Sequence, residues 1–264
     1  MSRKSAFLII GLLLLAGCKS LAPTASSATE FASAPACNDS GTVTAAEVET
    51  ASRGYPYPFN IYLPPCYQTE TEQQYPVIYL LPGRGSSPGT WFAVGVNEIA
   101  DELILSGESP PFIIVTTEST DSDPYAESIL TDLIPYIESH YRVQTDRNHR
   151  AVAGGSLGGI GAYRMGLHFP DQFASIGIFG SGVIHGEEEQ VKTWLNELPT
   201  TSQPRVFLNC GTEDPLMLDR TQVTIAMLEE AGLPATSIIS PGGHTYGYWA
   251  SNFPAYFRWV AQDW

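Results

Sequence analysis

Apolar residues cluster in short continuous runs at 76–81, 112–116, 150–154, 175–179 and 205–210, each followed or preceded by glycine, proline or polar residues. Runs of that length, apolar at successive positions, are what strands buried on both faces of a sheet require. Between them the apolar positions recur at helical spacing, which predicts helices over 96–105, 129–141, 157–168, 218–231 and 253–264. Two further strands are predicted over 42–50 and 59–63, joined by a turn-prone stretch containing Pro56 and Pro58, and another over 235–240. Strands alternating with helices predict an α/β fold: a mostly parallel central sheet with helices on both faces. No internal repeat, second-domain boundary or long lid insertion interrupts the pattern, so 41–264 reads as one domain.

The first stretch has a different character. Arg3 and Lys4 precede an uncharged, largely apolar run from residue 6 to 16, shorter than the roughly 20 residues a membrane-spanning helix needs. It fits a secretory signal over 1–17. Leu15-Ala16-Gly17-Cys18 resembles the bacterial lipobox, in which cleavage precedes the cysteine and its sulfur takes a diacylglycerol. The alternative is an ordinary signal peptide that happens to contain Cys18. Residues 18–40 are rich in Ser, Ala, Thr and Pro and read as a flexible tether. The expected location is therefore the bacterial cell envelope, at the outer membrane or cell surface, with membrane contact only through the lipid. Lys19 after the cysteine resembles outer-membrane sorting in a Gram-negative host.

Charge and cysteines narrow the partners. A formal net charge of −15 argues against nucleic acid and anionic headgroups. With Cys18 lipidated, three cysteines remain for an oxidising compartment and at most one intramolecular disulfide can form. Cys37 and Cys66, both in loop-like sequence, are the natural pair, although spacing does not establish connectivity. Cys210, inside an apolar strand, reads as a buried thiol.

The sharpest chemical signal is Gly154-Gly155-Ser156-Leu157-Gly158, a G-x-S-x-G pentad at the end of a strand and the start of a helix. A serine on that strained turn is exposed as a nucleophile, and the small neighbours let the backbone turn tightly. The amide of Leu157, at the helix N-terminus, is the expected first oxyanion donor. In this arrangement the acid and then the base follow the serine in the chain. His140, His149 and His168 fall at the opposite edge of the sheet. His244, on the loop Pro241-Gly242-Gly243-His244 after a strand, falls beside the serine and is the expected general base. His185 follows the small-residue loop at 180–182 and is the rival, read as lining the cleft or exposed. Asp214, in Gly211-Thr212-Glu213-Asp214 after another strand, is the expected acid, with Glu213 and Asp219 as weaker choices. The loop Pro82-Gly83-Arg84-Gly85 should supply the second oxyanion donor from the Arg84 or the Gly85 amide.

From about Val43 to the C-terminus the chain resembles the esterase-D-like family of α/β-hydrolases, which includes feruloyl esterases, acetyl esterases, enterochelin esterases, S-formylglutathione hydrolases and mycolyltransferases. The segments that carry the resemblance are Tyr62-Leu63-Pro64-Pro65-Cys66-Tyr67, Tyr75-Pro76-Val77-Ile78-Tyr79-Leu80-Leu81, Asp132-Leu133-Ile134-Pro135-Tyr136-Ile137 and Asp146-Arg147. The pentad in its strand, Gly211 to Asp214, and Gly242-Gly243-His244 with Trp249 complete them. The resemblance implies the α/β-hydrolase fold and a triad of Ser156, His244 and Asp214. The chain departs from the family at Pro82-Gly83, where His-Gly is usual, and at Cys66, where glycine is usual; the second departure supports a disulfide special to a subset.

Together these readings predict a serine carboxylic ester hydrolase that works through an acyl-enzyme, with no metal or organic cofactor. Trp91, Tyr246 and Trp249 are candidate substrate contacts, able to stack on an aryl acyl group or a sugar, or else core residues. Feruloyl or acetyl esters of plant polysaccharide are the candidate substrates. The alternatives are an acyltransferase of the same fold and a non-catalytic binding lipoprotein on a hydrolase scaffold. The acid runs at 121–123 and 187–189 read as solvated loops.

Overall fold

A computed structural model describes residues 39–51, 53–119, 125–233 and 235–264. The signal segment, Cys18, most of the tether, Cys37 and the acid run at 121–123 lie outside the described residues. Among the described residues there are eight strands, β1 (Thr42–Val48), β2 (Tyr57–Leu63), β3 (Val77–Leu81), β4 (Ile113–Thr117), β5 (Arg150–Gly155), β6 (Ser175–Phe179), β7 (Arg205–Gly211) and β8 (Thr236–Ser240). They form one sheet in the order β1-β2-β4-β3-β5-β6-β7-β8. β2 runs antiparallel to both its neighbours, β1 and β4, and β3 through β8 are parallel to one another.

The apolar runs behave as doubly covered strands. Every residue of β3, β4, β5 and β6 is buried, whereas β8 and most of β1, at the sheet edges, are not. Alternate side chains enter two separate cores: Val77, Tyr79 and Leu81 join one, Ile78 and Leu80 the other. This is the period-two geometry of a strand expressed twice, once per face.

Helices cover both faces. They are α1 (Val96–Leu105), the short α2 (Tyr125–Glu127), α3 (Ile134–His140), α4 (Leu157–His168), α5 (Glu188–Glu197), α6 (Leu218–Glu230), α7 (Tyr246–Ser251) and α8 (Phe253–Val260). Residues of α3, α4, α5 and α6 fill the first core, and those of α1, α7 and α8 fill the second. The second is unusually aromatic, with Trp91, Phe112, Phe179, Phe207, Trp249, Phe253, Tyr256 and Phe257 packed in a network of ring contacts.

Three elements differ from the sequence expectation. The helix predicted over 129–141 is broken into a π-helical turn, Ser128–Leu133, and then α3. Pro135 has no amide to donate and belongs in a first helical turn, which is where α3 places it. The acid run at 187–189 is not a solvated loop: Glu187 stands at the N-terminus of α5, and its carboxylate accepts from the Tyr163 hydroxyl at 2.7 Å and from Arg164. Residues 246–251, for which the pattern predicts no element, form α7, with the Thr245 side chain accepting from the Tyr248 amide at its N-cap.

Cys66 is disulfide-bonded, and Cys210 is a free, buried thiol. Cys66 has φ 65°. That left-handed conformation is one glycine adopts without steric cost and a cysteine seldom takes.

Candidate active site

The carboxyl ends of β5, β7 and β8 deliver three side chains to one edge of the sheet. Ser156 lies between β5 and α4 with φ 53° and ψ −119°. Apart from Cys66 it is the one non-glycine residue at positive φ among the described residues. The strain is tolerable because the neighbours on both sides are fixed. The Ser156 amide donates to the Phe179 carbonyl at 2.9 Å, and its own carbonyl accepts from Gly159 at 3.0 Å. A β-carbon on Gly154 would stand 2.4 Å from the Gly158 backbone, and one on Gly158 2.2 Å from the Leu81 carbonyl oxygen. The pentad's glycines are thus demanded by contact between β3, β5 and α4.

His244 reaches the serine from the loop after β8. Its Nε2 lies 2.9 Å from Ser156 Oγ, and its Nδ1 lies 2.7 Å from Asp214 Oδ2. The Asp214 side chain is wholly buried and His244 is 19% exposed. Asp214 Oδ1 accepts from the amides of Leu216 and Met217, both at 3.0 Å, and the Cys210 thiol lies 3.8 Å from Oδ2. These donors fix the carboxylate in orientation, and as an acceptor-only group it assigns the imidazole proton to Nδ1. Nε2 is then left as an acceptor for the serine hydroxyl. Of the acid candidates, Asp214 is the one in contact with His244.

Trp249 packs edge-on to the imidazole, with ring centroids 4.9 Å apart at 87°. It is 2% exposed, and Trp91 is fully buried, so neither presents a ring face to a substrate. Both support the site from beneath: a β-carbon on Gly155 would stand 2.8 Å from the Trp249 ring and 3.0 Å from Trp91. The Trp91 indole N–H donates to the Leu81 carbonyl at 3.2 Å. These two are core, the blander of the readings offered by the sequence. His185, its side chain 84% exposed, has its Nδ1 3.3 Å from an Arg220 guanidinium nitrogen on the α5 and α6 side.

The loop after β3 lies against the serine, since a β-carbon on Gly83 would be 3.5 Å from Ser156 Cβ. The Gly85 amide donates to Ser119 Oγ at 2.7 Å, which takes it out of use as an oxyanion donor in this conformation. Leu157 is the first residue of α4, where first-turn amides have no intrahelical acceptor. Tyr246, expected as a substrate contact, has its hydroxyl between Gly83 and Ser86: the Gly83 amide donates to it at 2.6 Å, and it donates to Ser86 Oγ at 2.9 Å. Sequence reasoning missed that link because it joins residues 163 apart in the chain.

Known proteins share this architecture. A ferulic acid esterase structure superposes with TM-score 0.77 at 26% identity, covering 86% of this chain and all of that one. A feruloyl esterase module from Clostridium thermocellum, solved with sinapinate, gives TM-score 0.75 at 20% identity, covering 86% of this chain and 90% of that one, a likeness of fold. The fold is that of the α/β-hydrolases. In sequence, an endo-1,4-beta-xylanase/feruloyl esterase of Xylanibacter ruminicola is 27% identical over 208 residues, 72% of this chain. The match spans 27% of that relative, and 56% and 54% of two further curated relatives, so this chain corresponds to part of longer proteins. The family model described as "Putative esterase" matches residues 50–260, and with four-fifths of its length inside that match the chain belongs to this esterase family.

Proposed function

We propose that the protein is a serine carboxylic ester hydrolase in which Ser156 is the nucleophile, His244 the general base and Asp214 the residue that orients it. The observation that carries this reading is the unbroken row Ser156 Oγ, His244 Nε2, His244 Nδ1, Asp214 Oδ2, with contacts of 2.9 and 2.7 Å. His244 takes the serine proton as Oγ attacks the ester carbonyl. The tetrahedral oxyanion is met by the amides of Leu157 and Arg84. Collapse expels the alcohol, which receives the proton from His244 and leaves an acyl-serine. Water, deprotonated by the same imidazole, then attacks the acyl-serine, and the carboxylic acid departs.

Hydroxycinnamoyl or acetyl esters of plant polysaccharide are the proposed substrates. The similarity to a ferulic acid esterase and to a xylanase/feruloyl esterase supports this choice. The lipobox-like Leu15-Ala16-Gly17-Cys18 supports the companion proposal of a lipid-anchored enzyme at the bacterial cell envelope, displayed to extracellular polymer.

A fluorophosphonate probe tests the chemistry. It should label the wild-type protein at Ser156 and leave Ser156→Ala unlabelled; absence of labelling in folded wild-type protein would reject the assignment. Turnover of methyl ferulate, acetylated xylan and short aliphatic esters by the same preparation then decides the acyl group. Palmitate incorporation lost on Cys18→Ser tests the anchor.

A further inference from the structure

The loop that faces Ser156 is short, exposed at its tip and held by side chains from elsewhere in the chain. Residues Gly83 to Ser86 make a turn closed by the Ser86 amide on the Gly83 carbonyl at 3.2 Å. Gly85, third in that turn, has φ 69°, the left-handed value such a turn requires there. Arg84 and Gly85 are both exposed. A two-residue tip of this kind has no strand ladder to fix its amides, so their direction depends on whatever acceptors flank them.

Two hydroxyls supply those acceptors, one on each side of Arg84. Tyr246 Oη takes the buried Gly83 amide at 2.6 Å, and Ser119 Oγ takes the Gly85 amide at 2.7 Å. Each contact is backed by a second. Tyr246 donates its own proton to Ser86 Oγ at 2.9 Å, which turns its lone pair toward Gly83. The Ser119 amide donates to the Ser86 carbonyl at 3.0 Å. The Tyr246 ring is itself held, 4.6 Å from Trp91 and 5.1 Å from Trp249, centroid to centroid. Because Tyr246 is two residues beyond His244, the same helix start that carries the base also anchors the turn beside Ser156.

We propose that Tyr246 and Ser119 are positioning residues for acyl transfer: their hydroxyls clasp the amides that flank Arg84 and hold the turn in the orientation that presents an oxyanion donor to the carbonyl bound at Ser156. The proposal rests on the triad reading above. It reassigns Tyr246, whose ring reads from sequence as a substrate platform, to a role carried by its hydroxyl. Phenylalanine would keep the ring packing and leave the buried Gly83 amide without an acceptor, a costly state that the loop relieves by turning away.

The test uses the full chain with Tyr246→Phe and, separately, Ser119→Ala. Active serines are first counted by fluorophosphonate labelling, and kcat and KM for p-nitrophenyl acetate are expressed per labelled site. Affinity for phenylboronic acid, which forms a tetrahedral adduct on the serine, is measured alongside. In each variant kcat per site should fall about tenfold or more while KM stays within about twofold, because a displaced donor is lost only in the transition state. The phenylboronate inhibition constant should rise by the same factor. Unchanged kcat per labelled site overturns the proposal, and so does a raised KM with kcat retained, which makes Tyr246 a substrate contact. If Tyr246→Phe yields no folded protein, Ser86→Ala removes the acceptor of the tyrosine proton and carries the same expectation. A wild-type protein that takes no label fails the triad reading, a result separate from any difference among variants.

Discussion

Gly211 and Gly242 cross so closely that a β-carbon on Gly211 would stand 2.0 Å from the Gly242 carbonyl oxygen. The crossing is locked by the Glu213 amide, which donates to that same oxygen at 2.8 Å. Gly242 has φ 154°, and a β-carbon there would stand 2.1 Å from the Tyr248 ring. Neither glycine belongs to the triad, yet their contact sets the distance between the loop carrying Asp214 and the loop carrying His244. Replacement of Gly211 by alanine should cost more than about 3 kcal/mol or abolish folding, as expected when backbone must move in a packed core. Chemical denaturation measures it, and a loss under about 1 kcal/mol would mean the crossing relaxes cheaply.

Asp214→Asn should leave the fold intact and lower kcat by roughly four orders of magnitude, the loss expected when the imidazole is held in the wrong tautomer. The amide introduced there still accepts on one atom but can donate toward Nδ1 from the other. Steady-state kinetics on p-nitrophenyl acetate check this, with near-ultraviolet circular dichroism as the control for folding.

Ser156→Gly and Ser156→Ala should both lose turnover but differ in stability. Glycine relieves the backbone strain at φ 53°, so the glycine variant should melt higher than the alanine variant, by an amount equivalent to about 1 kcal/mol. Equal melting temperatures would show that the surrounding contacts, and not the residue's own torsion, carry the strain.

Burial pushes the Cys210 thiol up to about 11, with the neighbouring Asp214 carboxylate adding to the rise. Its folded value exceeds that of the unfolded chain, near 8.5. The stability it contributes is therefore complete below the unfolded value and is lost as pH climbs toward 11. Native protein at pH 8 should resist iodoacetamide at Cys210 and react on unfolding. Between pH 9 and 11, Cys210→Ala should lose less stability than the wild type, which urea titrations across that range can measure.

Burial disfavours the charge on Glu187, but the hydrogen bonds from Arg164 and Tyr163 outweigh it and hold the carboxyl below the usual range. Its contribution is present above the unfolded carboxylate value and is lost as pH falls through the lowered folded one. Glu187→Gln should cost about 0.5–1 kcal/mol at pH 7, and the difference from wild type should shrink on acidification. Thermal melts at pH 7 and pH 3 test the sign.

The strands from Val77 to Gly211 were legible because a doubly covered strand is apolar along nearly all its length, and that demand is written locally. The strained strand-to-helix turn at Ser156 was legible for the same reason: its glycines and serine are neighbours in the chain. α5 was not, because its charged first turn masks the two buried positions, Val191 and Leu195, that dock it. The Pro135 break in the predicted 129–141 helix was visible as a proline but not as a π turn, whose register is set by what the preceding residues pack against.

What the sequence alone determined was the alternation of strands and helices and the strand-end loops on which Ser156, Asp214 and His244 stand. Only the tertiary structure decided which aromatic residues are support and which hydroxyls act as clasps. Trp91 and Tyr246 are equally aromatic and equally near glycine-rich loops in sequence, yet one is sealed in the core and the other holds Gly83. The reason is physical: a strand's burial depends on its own few side chains, whereas a hydroxyl's role depends on which amide, far away in the chain, the fold sets within hydrogen-bond reach.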